Sequence, residues 1–170
     1  MTSFYLPPWR IDVSVRDGVR PPVSRRALAK LAARALEAAR AEGPASLALI
    51  LSDDAELAEL NVEHMGHEGP TDVLSFPMLP VSAFPPHPGQ DPAVRSTALA
   101  EAFLPPGRRP HLGDVAVSVE RATAQAPGPP ADELRLLVVH GVLHVCGWDH
   151  AIPEERDAMR ALESQVLARS

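Results

Sequence analysis

Three histidines lie close together in the segment HGVLHVCGWDH, which runs from His140 to His150. The 170-residue chain contains only seven histidines, so this short and otherwise apolar segment holds an unusual share of them. His140 and His144 are four positions apart. On a helix this spacing places both imidazoles on one face, with Cβ atoms about 5–6 Å apart. Two imidazoles at that separation can bind one metal ion.

A glycine between the second and third histidines allows all three to meet. Gly147 is expected to end the helix, because glycine readily takes the left-handed conformation found after a last helical turn. The chain can then turn back and bring His150 toward the other two. Three neutral nitrogens at about 2.0–2.1 Å from zinc leave a fourth position for water, which is the composition of a catalytic site. The sequence therefore predicts one Zn²⁺ per chain on His140, His144 and His150, although such sites also accept other divalent metals.

Two neighbouring residues limit the chemistry of this motif. The spacing also matches zinc peptidases in which a glutamate follows the first histidine and serves as general base. Here that residue is Gly141, which cannot accept a proton. Hydrolysis of a phosphodiester depends more on neutralising charge and placing a nucleophile, and a metal ion can assist both. Cys146 points away from the histidines on a helix and is interpreted as a core residue.

The elements predicted around the motif indicate an α+β fold. Alternating or continuous apolar residues predict strands at 11–15, 46–52, 72–76 and 112–118. Helices are predicted at 24–42, 53–63, 120–126 and 131–146, and a last one begins at Pro153. Ser24 and Ser52 are the expected N-caps of the first two helices. A strand, a helix and a strand in succession favour a parallel pair of strands. The apolar stripe of the first helix is expected to comprise Leu28, Leu31, Ala35, Leu36 and Ala39.

Composition indicates one domain, 1–170, in a reducing compartment. The single cysteine excludes an internal disulfide. We predict no membrane span and no signal peptide, hence a cytoplasmic protein. Residues 77–110 carry nine of the 19 prolines and are interpreted as a surface insertion, with a helical piece near 96–103. The net charge of −6 argues mildly against a polyanionic partner.

Three blocks of the sequence resemble the YbeY family of bacterial metal-dependent endoribonucleases. HGVLHVCGWDH is similar to the family signature H-G-x-L-H-x-x-G-x-D-H at every fixed position. The second block is PTDVLSFP at 70–77, which follows the pair Leu60-Asn61, and the third is LGDVAVS at 112–118. The blocks occur in the order typical of the family.

This resemblance implies a single α+β domain with a small mixed sheet of about four strands, and a zinc ion on His140, His144 and His150. It implies cleavage of single-stranded RNA near the 3′ end of 16S ribosomal RNA, and a role in ribosome quality control. Ribosomal subunit components are the implied partners, in the cytoplasm.

One position departs from the family pattern. Where the family usually has Tyr-Arg-Gly, this chain has His64, Met65 and Gly66. The family arginine is expected to serve RNA binding or catalysis, and methionine offers no charge to a phosphate. Either activity is reduced or another cation takes its place. The candidates for that cation are His64, His67, Arg95, Arg108 and Arg109.

The sequence leaves more than one interpretation open for the candidate catalytic residues and for the function. Ser75 can bond a phosphate oxygen if its strand borders the metal; otherwise it is an ordinary strand residue. Asp149 can hold a histidine N–H or move a proton, or it can simply stabilise a turn. The alternatives to a nuclease are a ribosome-assembly factor with a mainly structural metal, a zinc peptidase, and a metal-free domain.

Overall fold

The computed structural model describes residues 1–91 and 109–169, and these residues form a mixed β-sheet packed with helices. The strands are β1 (Thr2–Leu6), β2 (Trp9–Val15), β3 (Ala45–Ser52), β4 (Val73–Pro77) and β5 (His111–Ser118). The helices are α1 (Arg25–Ala38), α2 (Asp54–Met65), α3 (Val119–Gln125), α4 (Pro130–Val145) and α5 (Pro153–Leu167). A 3₁₀ turn lies at Val81–Ala83. The predicted α+β class is confirmed.

The sheet has five strands in the order β1-β2-β3-β5-β4. Its three inner strands are parallel, and the two edge strands β1 and β4 are antiparallel to their neighbours. The predicted parallel pair is therefore confirmed as β2 and β3, joined through α1. β1 is a strand beyond the four that the sequence predicted. It is short, lies at an edge, and leaves alternate residues such as Tyr5 exposed to solvent.

Side-chain caps set the start of α1 and of α2, and a left-handed backbone conformation sets the end of α1. Ser24 caps α1 as predicted, since its side chain accepts a hydrogen bond from the Ala27 N–H at 3.2 Å. α1 stops before residue 42 because Arg40 takes a left-handed conformation with φ of 55°. The predicted cap Ser52 is wrong. Asp53 caps α2 by accepting from the Glu56 N–H at 3.0 Å, and the Ser52 hydroxyl instead donates to the Glu56 carboxylate.

The core lies mainly between one face of the sheet and helices α1 and α4. The predicted stripe of α1 is fully confirmed as buried. α4 is buried on most of its surface, as its apolar sequence predicted, and it packs against β4, β5, α1, α3 and α5. A smaller apolar cluster of Leu57, Leu74 and Ala116 lies between the other face and α2. The central position of α4 provides a rigid base for the histidines that it carries.

The predicted insertion is described only in part. Its residues 77–91, called here the insertion segment, start at the last residue of β4 and send the side chain of Phe84 into the core. The helical piece predicted near 96–103 lies outside the described residues. Within the ranges that the structure covers, no helix has the length and apolar character needed to cross a membrane.

Candidate metal centre

The three histidines of the sequence motif converge at one point. One ring nitrogen from each of His140, His144 and His150 lies within 4.8 Å of the others. The Nε2 atoms of His140 and His144 are 3.0 Å apart. Two nitrogens bound at about 2.0–2.1 Å to the same tetrahedral ion lie about 3.3 Å apart, so the observed separation suits one small cation.

Close packing of α4 on the sheet positions the first two histidines. A Cβ atom at Gly141 would lie 2.4 Å from Val115 Cγ1 and 3.1 Å from Val73 Cγ2. Only glycine lets the helix approach β4 and β5 this closely. The same contact explains why no glutamate follows His140, because position 141 faces the sheet and has no room for a side chain.

The turn after α4 brings the third histidine back. Gly147 has φ of 83°, its N–H donates to the His144 carbonyl at 2.9 Å, and the Trp148 N–H donates to the Leu143 carbonyl at 3.1 Å. This pair of hydrogen bonds defines a Schellman motif, which ends a helix and reverses the chain. His150 follows three residues later and remains exposed to solvent.

Glu163 on α5 orients the first histidine, and it was not among the predicted site residues. Its Oε1 lies 2.7 Å from His140 Nδ1, and its carboxylate is largely buried. A carboxylate on Nδ1 fixes the tautomer that leaves the Nε2 lone pair for a metal. A signal was available, because Glu163 interrupts the inner face of α5 that also carries Met159 and Val166.

The chemical state of two side chains suits a metal site made of histidines alone. Burial, followed by the charges of His140 and His150, lowers the pKa of His144 to about 4. His144 is therefore neutral near pH 7, as a metal ligand must be. Burial raises the pKa of the Cys146 thiol to about 12, so this cysteine stays a protonated core residue.

The two candidate catalytic residues have backbone partners. The Ser75 hydroxyl donates to the Gly141 carbonyl at 3.0 Å, which ties β4 to α4 beside the histidines. Asp149 Oδ1 accepts from the His150 N–H at 2.7 Å, within the turn. Both side chains brace the site in this arrangement, and a catalytic role for either of them stays a prediction.

Two pockets adjoin the histidines. The first, of about 380 Å³, is lined by His140, His150, Asp72 and Glu163, and by two arginines of α5, Arg156 and Arg160. The second, of about 410 Å³, is lined by all three histidines together with Met65, Asp72 and Ser75. Met65, at the position where the resemblance led us to expect an arginine, therefore lies beside the three histidines and offers no charge.

The cations considered from the sequence lie elsewhere or outside the described residues. Arg109 donates to the carbonyls of Pro8 and Ala45, at 2.5 and 3.2 Å, and lines neither pocket. The His64 ring packs edge-on against Phe76. Arg95 and Arg108 fall outside the described residues. Arg156 and Arg160 were not among the predicted site residues, because the helix that carries them has the pattern of an ordinary amphipathic element.

The donor set fits a borderline divalent cation such as Zn²⁺. Imidazole nitrogens suit zinc, copper, iron and nickel, and three of them with an exposed edge match the open sites of metallohydrolases. In the described part of the chain, the group that can hold a metal consists of these three histidines. Both pockets reach it, so a substrate can approach from the solvent side.

Comparison with known proteins agrees with the motif and the fold. Residues 17–170 match the family model described as Endoribonuclease YbeY. A relative named Endoribonuclease YbeY from Salinispora tropica is 42% identical over 161 residues, which cover 93% of this chain and 94% of the relative. Another relative of that name, from Thermobifida fusca, is 36% identical over 161 residues, which cover 93% of this chain and 92% of the relative. A Thermotoga maritima protein known from its solution structure shares the fold, with a TM-score of 0.50 at 21% identity; the match covers 94% of this chain and 90% of that protein.

Proposed function

The chain belongs to the YbeY endoribonuclease family, and from this premise we propose that it is a zinc-dependent endoribonuclease that cleaves single-stranded RNA. One observation carries the proposal: three imidazole nitrogens within 4.8 Å of one another, at the edge of two open pockets. His140, His144 and His150 would hold a divalent cation, which would supply charge neutralisation at the scissile phosphate and activation of the attacking group.

The protein's own residues hold and orient the reacting partners. Glu163 accepts the Nδ1 proton of His140 and so keeps its Nε2 available. Arg156 and Arg160 give the first pocket two guanidinium groups, which bind phosphates in a forked geometry. These two arginines are the cations that we propose in place of the family arginine at Met65. The same pocket is also lined by the carboxylates of Asp72, Glu133 and Glu163, so the two guanidinium groups and a bound cation together must offset this negative charge before a phosphate can bind.

The three-histidine site is less suited to hydrolysis of a peptide bond than of a phosphodiester. Cleaving an amide requires protonation of a poor leaving group, which zinc peptidases achieve with the glutamate after the first histidine. At Gly141 the close contact with Val115 leaves no space for such a residue. This packing therefore supports a phosphodiester as the substrate.

The finer role that we propose is maturation of the 16S ribosomal RNA 3′ end and quality control of ribosomes, in the cytoplasm, with ribosomal subunit components as partners. Family membership supports this role. A second candidate is a ribosome-assembly factor whose metal is mainly structural. The uncharged Met65 at the centre favours it, because a phosphate there meets no cation from α2.

The test compares the purified protein with the His144→Ala variant on a single-stranded RNA and on the same RNA annealed to its complement. We expect the wild type to cut the single strand in a reaction that a chelator stops, and the variant to lose at least about 100-fold in rate. A 2′,3′-cyclic phosphate end would identify the ribose 2′-OH as the attacking group.

Several results would contradict the proposal. Equal cutting by His144→Ala at matched purity would remove the metal from the mechanism. Metal and ribosomal-subunit binding without any cleavage would support the assembly factor instead. Casein hydrolysis inhibited by a chelator would revive the peptidase.

A further inference from the structure

We propose that His87 of the insertion segment is a positioning residue for the metal centre, and that it acts through Glu155 on the turn that carries His150. This inference rests on the metal site of the proposed function, and it concerns which residues set the geometry of that site. His140 and His144 are fixed by α4, whereas His150 is exposed and lies in a turn. Something outside α4 must hold that turn.

His87 and Glu155 form a buried pair between the insertion segment and α5. His87 Nε2 lies 2.7 Å from Glu155 Oε1, and the two side chains are only 3% and 7% exposed. The His87 ring also stacks on Trp148, with centroids 4.0 Å apart and planes inclined by 12°. Since an ionised carboxylate only accepts hydrogen bonds, the Nε2–H of His87 is the donor.

The same carboxylate oxygen holds the backbone beside the third histidine. Glu155 Oε1 accepts from the Asp149 N–H at 2.9 Å, and Asp149 Oδ1 in turn accepts from the His150 N–H at 2.7 Å. Glu155 therefore links His87 to the backbone of Asp149, whose own side chain holds the backbone N–H of His150. Trp148, on which His87 stacks, is part of the same turn.

Two close contacts at glycines show that the insertion segment is fitted to this turn. A Cβ at Gly89 would lie 2.4 Å from the Glu155 backbone nitrogen, so the segment reaches α5 at a distance that only glycine permits. At the other end, a Cβ at Gly147 would lie 2.9 Å from Val81 Cγ1. The segment thus contacts both the end of α4 and the start of α5, the two elements that border the turn.

Loss of the His87 donor should lower the affinity of the site for its metal ion. Without it, the Asp149 N–H is the one hydrogen-bond partner of the buried Glu155 carboxylate within residues 1–91 and 109–169, and an under-bonded buried charge tends to draw in water or move. The turn and His150 then lose their fixed position, while His140 and His144 stay on their helix. Metal affinity should fall by about tenfold, which is the low end of the range for residues that orient a ligand.

The experiment measures Zn²⁺ affinity and the visible spectrum of the Co²⁺-loaded protein for two variants. H87F keeps a ring to stack on Trp148 but has no donor, and H87Q keeps a donor without the aromatic ring. We expect H87F to bind zinc about tenfold more weakly with altered cobalt bands, and H87Q to recover part of the affinity. In a His150→Ala background, H87F should cause no further loss of affinity.

The matched control is H111F, which removes another histidine whose Nε2 lies 2.7 Å from a carboxylate, that of Asp114, but which lines neither pocket. It should leave zinc affinity unchanged. Thermal unfolding of the metal-free proteins checks that every variant is folded. Affinity of H87F and H87Q within twofold of the wild type would overturn the inference, and so would a loss that persists without His150. A wild type that binds no zinc would overturn the proposed function as well.

Discussion

The three candidate ligands are held in two different ways. His140 and His144 project from α4, whose close contact with the sheet at Gly141 leaves little freedom. His150 lies beyond the Gly147 turn, is exposed, and depends on hydrogen bonds that involve Asp149, Glu155 and His87. One half of the site is fixed by the core, and the other is fixed by a loop and a buried polar pair.

This difference assigns separate tasks to the two halves. A pair of ligands fixed before the metal arrives contributes affinity without an ordering cost, because the entropy is already lost in folding. A ligand on a turn can adjust as substrate displaces solvent, but it needs its own supports. Changes at the contact between α4 and the sheet should therefore lower stability and metal binding together, and replacement of the exposed His150 should weaken metal binding with little effect on stability.

The largest effect should come from breaking the rigid half at position 141. Gly141→Glu, which restores the peptidase glutamate, must place a charged side chain against Val115 and Val73. We expect the free energy of unfolding to fall by at least about 4 kcal/mol, since the change combines overpacking with burial of a charge. Urea unfolding measures it.

Gly141→Ala gives a milder version of the same change, with an expected loss of about 1–3 kcal/mol from overpacking. Gly128→Ala is its matched control, because a Cβ at that exposed glycine meets nothing within 4 Å. Equal stability of all three variants and the wild type would mean that α4 does not depend on the contact at Gly141.

The next largest effect is the loss of Zn²⁺ affinity when one histidine of either half is removed. His144→Ala leaves one histidine on the helix and one on the turn, whereas His150→Ala keeps the fixed pair. We expect both to weaken Zn²⁺ binding by more than about 100-fold, with the larger loss for His144→Ala. Competition titration with a coloured chelator measures both. The reverse order would show that the turn, and not the helix, supplies most of the affinity.

A smaller effect is expected when Glu163 is changed. Glu163→Gln keeps the shape of the side chain but removes the charge that holds the Nδ1 proton of His140. Zinc affinity should fall by about tenfold, with little change in stability. Glu154→Gln, at an exposed position of the same helix, is the control and should be neutral. A neutral Glu163→Gln would leave the orientation of His140 to packing alone.

The sequence predicted what depends on short-range pattern. The spacing of His140, His144 and Gly147 was enough to predict a helix, the point where it ends, and the convergence of the three imidazole rings. Glu163 was missed because its partner lies 23 positions earlier, on another helix. The docking of His87 was missed because a Pro-rich segment has no periodicity from which to infer a contact. Ser52 and Asp53 are adjacent and both suited to capping, so sequence alone could not choose between them.

The smallest effect is expected on the binding of RNA in the first pocket, on the solvent side of the three histidines. Arg160→Gln removes one guanidinium from the first pocket without touching a ligand. We expect KM for single-stranded RNA to rise about threefold with kcat unchanged, and the salt dependence of binding to weaken by about one phosphate contact. A fall in kcat at constant KM would instead assign Arg160 to the chemical step.

Whether the three imidazoles bind one catalytic cation can be measured by titrating Zn²⁺ into chelator-treated protein while the cleavage of single-stranded RNA is followed. We expect cleavage to rise in proportion to bound zinc and to stop rising at one ion per chain, and we expect no rise for His144→Ala over the same range. Cleavage that is complete before zinc is added, or that does not follow occupancy, would contradict this expectation.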